Sequence, residues 1–208
     1  MTQRPQSTLP PAPAFGATVP QPASPEVLDF LARRRSASAL TLAAPGPSPE
    51  DIADLIRLAA RVPDHGKLAP WRFLILEGAD KAAFADALEA LALSRGDERA
   101  AGKLGKLRTP PACIAVISSP RPGDVPEWEQ RLSAGAVCAT LLYAATAMGL
   151  GCQWNTDWVA YDAEIAAAMG LKPHEKVAGL IYLGTSTVPL EDRPRPDAQS
   201  LLTRWQPS

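Results

Sequence analysis

The sequence has few of the residues from which disulfide frameworks and metal sites are built. Its three cysteines are Cys113, Cys138 and Cys152, no CxxC pair occurs, and the only histidines are His65 and His174. An odd number of dispersed cysteines, two of them in strongly apolar stretches, predicts buried and reduced thiols. With so few histidines a zinc site is not expected. We therefore expect neither structural disulfides nor a bound metal.

The chain also lacks a charge excess and a membrane-spanning run. Its formal net charge is -1 and its pI is about 6.1, which predicts no nucleic-acid or anionic-membrane partner. The longest apolar stretch, residues 132–151, contains Ser133 and Thr140 among many Ala and Gly residues. It predicts a buried helix rather than a membrane span. Arg4 is not followed by a continuous apolar segment, so we expect no secretory signal and a cytoplasmic location.

Familiar motifs of nucleotide-binding and hydrolytic enzymes are missing as well. There is no GxGxxG, no GxxxxGK(S/T), and no Ser/His/Asp set at a recognisable nucleophile elbow. The sequence therefore predicts neither of the common phosphate-cradling loops and no catalytic triad.

What is present is the composition of one globular domain preceded by an arm. The chain has 208 residues, of which 46% are hydrophobic and 21% are charged, enough for one well-cored domain. Residues 1–23 hold six of the 22 prolines, one charged residue and one aromatic residue, Phe15. Such a segment cannot bury a core of its own, so we predict a disordered or extended arm over 1–23 and a folded domain over 24–208.

Capping signals and hydrophobic periodicity predict the elements of that domain. Ser-Pro-Glu at 24–26 and at 48–50 predicts two helix starts, the first helix ending near Arg33 and the second before Pro63. Further helices are predicted over 79–94, 126–148 and 162–169, and strands over 71–77, 112–118, 152–154 and 177–184. Alternating helices and apolar strands predict a central sheet covered by helices on both faces.

The helix predicted over 133–148 is unusual, because apolar or small residues occupy nearly every position. A helix that is apolar all round must be buried all round. A domain of this size has little material to cover it, so the pattern predicts a second subunit as the other wall.

Three segments could carry chemistry, and each allows two interpretations. The first is RRRSAS at 33–38. Arginines beside hydroxyls suit a phosphate, because guanidinium forms bidentate charge-assisted bonds. The same residues also suit a solvated basic helix end that complements the helix dipole.

The second segment is RVPDHGK at 61–67 and the third is GLGCQWNT at 149–156. The second is either a cationic binding loop before a strand or a polar turn with His65 bonded to backbone. In the third, glycines permit close backbone approach to a flat ligand and an exposed N–H could point at it. Alternatively, that segment is a helix C-cap leading into an edge strand.

The order and spacing of these segments resemble the nitroreductase family, in particular its YdjA-like branch of small bacterial members. The resemblance rests on RRSAS, then RxPDH before APW, then an apolar helix begun by WEQ and ended by GLG, then GLIYLGT, and it covers roughly residues 25–200. It implies an α+β fold with a mixed sheet flanked by helices. It also implies an intertwined homodimer with two FMN sites at the subunit interface.

The resemblance assigns cofactor-binding roles by position. Arg34, Arg35 and Ser36 match the family segment that holds the FMN phosphate and ribityl chain. Arg61 and His65 match positions that reach the FMN from the other subunit.

Two later segments complete the implied site. Trp154, Asn155 and Thr156 match the segment beside the flavin ring, whose backbone N–H faces N5. Arg193 or Arg195, in DRPRPD, resembles the C-terminal basic residues that contact phosphate. No protein residue is implied as a catalytic acid or nucleophile, since the flavin carries the chemistry.

The implied activity is ping-pong hydride transfer from NADH or NADPH through flavin N5 to a nitroaromatic or quinone-like acceptor. Three positions depart from the family pattern. Ser38 stands where lysine is common, Ala69 where the branch has glutamine, and Asn155 where it has arginine. Dehalogenation, enone reduction or flavin fragmentation on the same fold remain alternatives, as does a non-catalytic flavin-binding protein.

Overall fold

Five strands form the sheet in the computed structural model, which describes residues 9–207. The strand order is β1-β5-β3-β2, and β4 also pairs with β5. All seven residues of β3 are buried, as its continuous apolar sequence predicts. The strands are β1 (Leu42–Ala43), β2 (Trp71–Glu77), β3 (Ala112–Ser118), β4 (Gly151–Asn155) and β5 (Lys176–Ser186).

The sheet is antiparallel in all of the pairings found within residues 9–207, so the implied mixed sheet is wrong for the single chain. The reason lies in the position of β5. Both β3 and β4 run antiparallel to β5, so they run parallel to each other but on either side of it. The long helix between them supplies the crossover that parallel strands need.

Seven α-helices are described, and the predicted starts of three are confirmed by their caps. Ser24 and Asp162 accept hydrogen bonds from first-turn amides, and Ser48 forms a capping box with Asp51. The helices are α1 (Pro25–Arg33), α2 (Pro49–Ala59), α3 (Gly78–Ser94), α4 (Glu98–Lys103), α5 (Gly105–Arg108), α6 (Glu127–Ala147) and α7 (Ala163–Ala168).

Hydrophobic cores lie on both faces of the sheet, which confirms that prediction. One face packs against α3, α5 and α7 through residues such as Leu88, Leu107 and Ile165. The other packs against α2 and α6 through residues such as Leu55 and Leu141. The site described below lies at the edge of β4 that does not pair with β5.

One side of α6 is not covered by the rest of the chain. Trp128, Leu132 and Tyr143 are 68%, 53% and 39% exposed, with half-buried Ala136 and Ala139 between them. These five residues recur at helical spacing and form one face, called here the α6 stripe. The single chain thus leaves one face of the helix open, as expected for a domain with too little material to cover it. A second subunit as the other wall stays a prediction.

The first helix, α1, lies beside this stripe and has no buried residue. The rings of Phe30 and Tyr143 meet edge to face with centroids 6.3 Å apart. Val27, Leu28 and Leu31 are each at least half exposed. The two helices thus leave a joint apolar surface open.

The predicted arm falls partly outside the described residues, since 1–8 are not described. Residues 9–24 contain no helix or strand, and Arg57 of α2 donates a hydrogen bond to the carbonyl of Pro10 at 2.9 Å. The three cysteines are free and buried, as predicted. Over residues 9–207, no helix is long and apolar enough to cross a membrane.

Candidate functional site

The first and third candidate segments lie side by side. The amide of Ala37 donates to the carbonyl of Cys152 at 3.0 Å, and the amide of Ala39 donates to Oε1 of Gln153 at 2.6 Å. Residues 34–39 therefore run along the edge of β4 that is not paired with β5. Folding brings together two segments that are more than a hundred residues apart in the sequence.

The backbone of Trp154 continues along this open edge. In a strand, the polar groups of alternate residues point to the same side. The carbonyl of Cys152 points away from β5, towards Ala37. The N–H and C=O of Trp154, two residues further on, therefore point away from β5 as well. A ligand beside residues 34–36 would find a main-chain donor at this place.

The glycines of the third segment have structural roles within the chain. Gly149 has a φ of 77°, and its amide and that of Leu150 bond back to Thr146 and Ala145 at 2.9 and 2.8 Å. This is a Schellman helix end. At Gly151 a Cβ atom would stand 2.6 Å from the side chain of Leu42. The helix C-cap interpretation is confirmed, and the space that a Cβ atom would need at Gly151 is filled by the chain itself.

Arg34 has an aromatic support and no acidic partner. Its Nη1 donates to Oγ of Ser36 at 3.2 Å, and its Cζ lies 5.8 Å from the ring centroid of Tyr143. Among residues 9–207 no carboxylate forms an ion pair with Arg34. The guanidinium is therefore available to an anionic ligand. Tyr143 was considered in the sequence only as part of an apolar helix, so its role here was missed.

Arg35 points to the C-terminal segment. Its Nε donates to the carbonyl of Glu191 at 2.8 Å and lies 3.6 Å from Oδ1 of Asp192. Arg195 donates to the same carboxylate oxygen at 2.8 Å. A backbone hydrogen bond from Arg193, and then Arg195 and Arg35, lower the pKa of Asp192. Arg195 thus joins the cluster at residues 34–36 through a shared carboxylate.

The second candidate segment packs elsewhere, on the N-terminal half of α6. Nδ1 of His65 lies 2.7 Å from Oε2 of Glu129, and Ser133 donates to the carbonyl of Pro63 at 2.8 Å. The interpretation of His65 as bonded to backbone is wrong, because its partner is a carboxylate. Arg61 lies exposed just after α2.

The two parts of the predicted site are far apart within one chain. His65 contacts α6 at Glu129, whereas Arg34 contacts it at Tyr143. A rise of 1.5 Å per residue separates these helix positions by about 21 Å. A single chain therefore does not bring Arg61 and His65 to the segment 34–36.

The segment 154–156 contains a buried polar atom without a partner. Nδ2 of Asn155 is buried and finds no hydrogen-bond acceptor within the described chain. Leaving such a group unpaired costs about 1–3 kcal/mol, which a ligand carbonyl would offset. Beside it, Thr156 accepts a hydrogen bond from the hydroxyl of Tyr161 at 2.9 Å, and Trp154 donates to the carbonyl of Ala178 at 3.2 Å.

The residue after this segment, Asp157, was not singled out in the sequence. Its φ of 22° is unusual for a residue with a side chain. Its carboxylate accepts hydrogen bonds from the Trp158 amide at 2.8 Å and from Lys106 at 3.0 Å, with Lys103 at 3.7 Å. Burial raises the pKa of Asp157, but these hydrogen bonds and charges lower it more. No local signal in the charged stretch 96–108 reveals that its lysines anchor this turn.

Comparison with known sequences and folds identifies relatives over most of the chain. The model of the Nitroreductase family matches residues 31–185. The chain is 34% identical over 163 residues to "Putative NAD(P)H nitroreductase YdjA" of Escherichia coli K12, covering 77% of this chain and 88% of that protein. It is 32% identical over 165 residues to "Putative NAD(P)H nitroreductase" of Haemophilus influenzae, with 77% and 88% covered.

Solved structures share the fold. A nitroreductase-like family protein from Bacillus cereus superposes with a TM-score of 0.77 at 18% identity, covering 89% of this chain and 98% of that one. A putative nitroreductase in complex with FMN from Desulfovibrio desulfuricans gives 0.69 at 24% identity, covering 89% and 100%.

Proposed function

This chain belongs to the nitroreductase family, and on that basis we propose that it is an FMN-dependent oxidoreductase. Its electron donor is NADH or NADPH, and its acceptors are nitroaromatic or quinone-like molecules. The observation that carries this proposal is the contact between residues 34–39 and the open edge of β4. That contact aligns a phosphate-binding segment with a main-chain donor.

The residues at this place fit FMN at both of its ends. Arg34 and Ser36 offer a guanidinium and a hydroxyl to a phosphate, with no carboxylate on Arg34 among residues 9–207. The Trp154 N–H and the unpaired amide of Asn155 suit the polar edge of a flavin ring. When bound, FMN supplies the hydride chemistry. The relatives' names point the same way, since they specify NAD(P)H or a complex with FMN.

The chain's own residues then act by binding and orientation. Arg34, Ser36 and Arg195 hold the phosphate, and Arg35 fixes the tail that carries Arg195. Trp154 orients the ring through its backbone. No side chain is required as an acid or a nucleophile, so donor and acceptor use one site in turn.

We propose in addition that two copies pair through the α6 stripe and α1. The stripe exposes Trp128, Leu132 and Tyr143, and α1 buries nothing within its own chain. Contiguous exposed apolar surface of this kind marks an interaction site. Pairing would bring Arg61 and His65 of the partner subunit to the segment 34–36, since within one chain His65 and Arg34 contact positions of α6 that are about 21 Å apart.

A pair of neighbouring arginines tests the cofactor assignment. Arg34→Ala should weaken FMN binding at least tenfold, because one charge-assisted contact to phosphate is worth about 1.5–3 kcal/mol. Arg33→Ala is the matched control, since Arg33 is largely exposed and its ion pair among residues 9–207 is with Asp29. FMN affinity is measured by flavin fluorescence on dilution and by calorimetry.

Three outcomes of these measurements are informative. A purified protein that neither shows nor takes up a flavin spectrum would contradict the proposed function. Equal FMN affinity in the two variants would move the phosphate site away from Arg34. A flavin-loaded protein that oxidises neither NADH nor NADPH with any nitroarene or quinone would favour dehalogenation, enone reduction or flavin fragmentation instead.

A further inference from the structure

A groove at the N-terminal end of α6 has walls of mostly positive charge. It encloses about 580 Å³ and lies between the loop that follows β3 and the turn that precedes β5. Neither wall belongs to the FMN segments described above. Its charged or titratable lining residues are Arg121, Glu127, Arg131, His174 and Lys176.

The loop that carries Arg121 is held rigidly. Gln130 of α6 is only 3% exposed and uses its whole amide on this loop. Its Oε1 accepts from the Arg121 amide at 2.8 Å, and its Nε2 donates to the carbonyls of Arg121 and Val125 at 2.9 and 3.0 Å. Arg121 also stands between two prolines, which fix the backbone further. A buried amide thus keeps an exposed arginine at the groove.

The cations of the groove are mostly not neutralised. Arg131 pairs with Glu127, the one carboxylate of the lining. Arg121, His174 and Lys176 are exposed and form no ion pair within residues 9–207. The groove therefore presents two free permanent cations and a histidine, an arrangement that suits a phosphate dianion.

A second groove adjoins the first and includes a residue that contacts the proposed flavin segment. It encloses about 430 Å³, shares Arg131 and Lys176 with the first groove, and extends to Tyr161. The hydroxyl of Tyr161 donates to Oγ1 of Thr156, in the segment assigned to the flavin ring. The two grooves adjoin at Arg131 and Lys176 and are together called here the channel, and Tyr161 links this channel to Thr156.

We propose that this channel binds NADPH, with the adenosine 2′-phosphate at Arg121 and Lys176 and the nicotinamide towards Thr156. The inference rests on the proposed function and adds a choice between donors, namely NADPH over NADH. The feature that distinguishes the two donors is the additional phosphate dianion of NADPH, which NADH lacks. The groove contributes to donor binding and takes no part in bond breaking.

Two fragments of the donors test the groove without turnover. The flavin-loaded protein is titrated with adenosine 2′,5′-bisphosphate and with 5′-AMP by calorimetry. The bisphosphate should bind at least tenfold tighter, and Arg121→Ala and Lys176→Ala should each remove most of that difference. Arg99→Ala on α4 is the control, because Arg99 is exposed and lies outside the channel.

Steady-state kinetics give the second readout. The ratio of kcat/KM for NADPH to that for NADH should fall about tenfold in Arg121→Ala, while FMN affinity stays unchanged. Equal binding of the bisphosphate and 5′-AMP would overturn the inference. So would Arg121→Ala and Lys176→Ala variants that behave like Arg99→Ala, or variants that change the KM of an anionic acceptor and not that of NADPH. If neither NADH nor NADPH donates electrons, the proposed function fails. The fragment titration does not depend on turnover, so it still tests whether the groove binds the 2′-phosphate.

Discussion

Arg34 and Arg35 are adjacent in the sequence but make different contacts. Arg34 lies against Tyr143 and Ser36 and has no acidic partner within the described chain. Arg35 contacts the carbonyl of Glu191 and so fixes the C-terminal segment. Two adjacent arginines in a turn can thus have different surroundings, one without an acidic partner and one fixed to another segment, which the sequence alone does not show.

A further arginine, Arg72, has a structural role. Arg72, in APWRF, pairs with Glu175, whose side chain is fully buried, with a shortest N–O distance of 2.7 Å. It also donates to the carbonyl of Gly170 at 3.2 Å. The residue thus fastens the turn 170–175 to β2 and makes no contact with residues 34–36.

This ion pair leads to a pH prediction. The hydrogen bond from Arg72, opposed by burial and aided by the Lys172 amide, lowers the pKa of Glu175 to about 2. A carboxyl with a depressed folded-state pKa stabilises the fold above its unfolded pKa of about 4.3, and that stability is lost as the pH falls towards 2. We expect the thermal midpoint of the wild type to fall over this window.

Glu175→Gln isolates the contribution of that carboxylate. It should lower the unfolding free energy at pH 7 by about 1–3 kcal/mol and flatten the acid dependence below pH 4.3. Glu127→Gln is the control, since Glu127 is exposed and its pair with Arg131 is a surface contact. Parallel acid profiles for wild type and Glu175→Gln would contradict this account.

At the scale of elements, the sequence predicted what depends on local chemistry. The Ser-Pro caps predicted α1 and α2, and the apolar run predicted β3. It did not predict β1, whose two residues are a strand only because they pair with β5. Nor did it predict α4 and α5, whose charged sequence has no apolar face as clear as that of α2. The same holds for the site. Its segments were predicted from local sequence, but the contact between Ala37 and Cys152 joins distant segments and was not predicted.

The loop 61–67 is docked on α6, and its variants test the proposed partner contact. His65→Ala and Arg61→Ala should each weaken FMN retention in both sites of a dimer, although both residues lie far from the chain's own segment 34–36. Lys67→Ala is a control in the same loop. FMN release on dilution is the measurement, and unchanged affinity in both variants would show that the second segment does not reach the flavin.

At the scale of the whole molecule, the open surface of α1 and α6 predicts a dimer that a single polar change can break. Leu132→Asp should convert the protein to a monomer, because it places a charge in the centre of the α6 stripe. Leu93→Asp on α3 is the control, since Leu93 is 54% exposed and Leu132 is 53% exposed. Sedimentation velocity measures the result, and a monomeric wild type would contradict the proposed pairing.

The lack of any buried residue in α1 has a consequence for how the cofactor is held. This helix leads directly into Arg34, yet few packing contacts within its own chain fix its position. On the proposed pairing, the second copy supplies such contacts, so cofactor occupancy and subunit association are linked by mass action. Flavin loading would then depend on the amount of protein present, and a cell making little of it would hold mostly empty single chains.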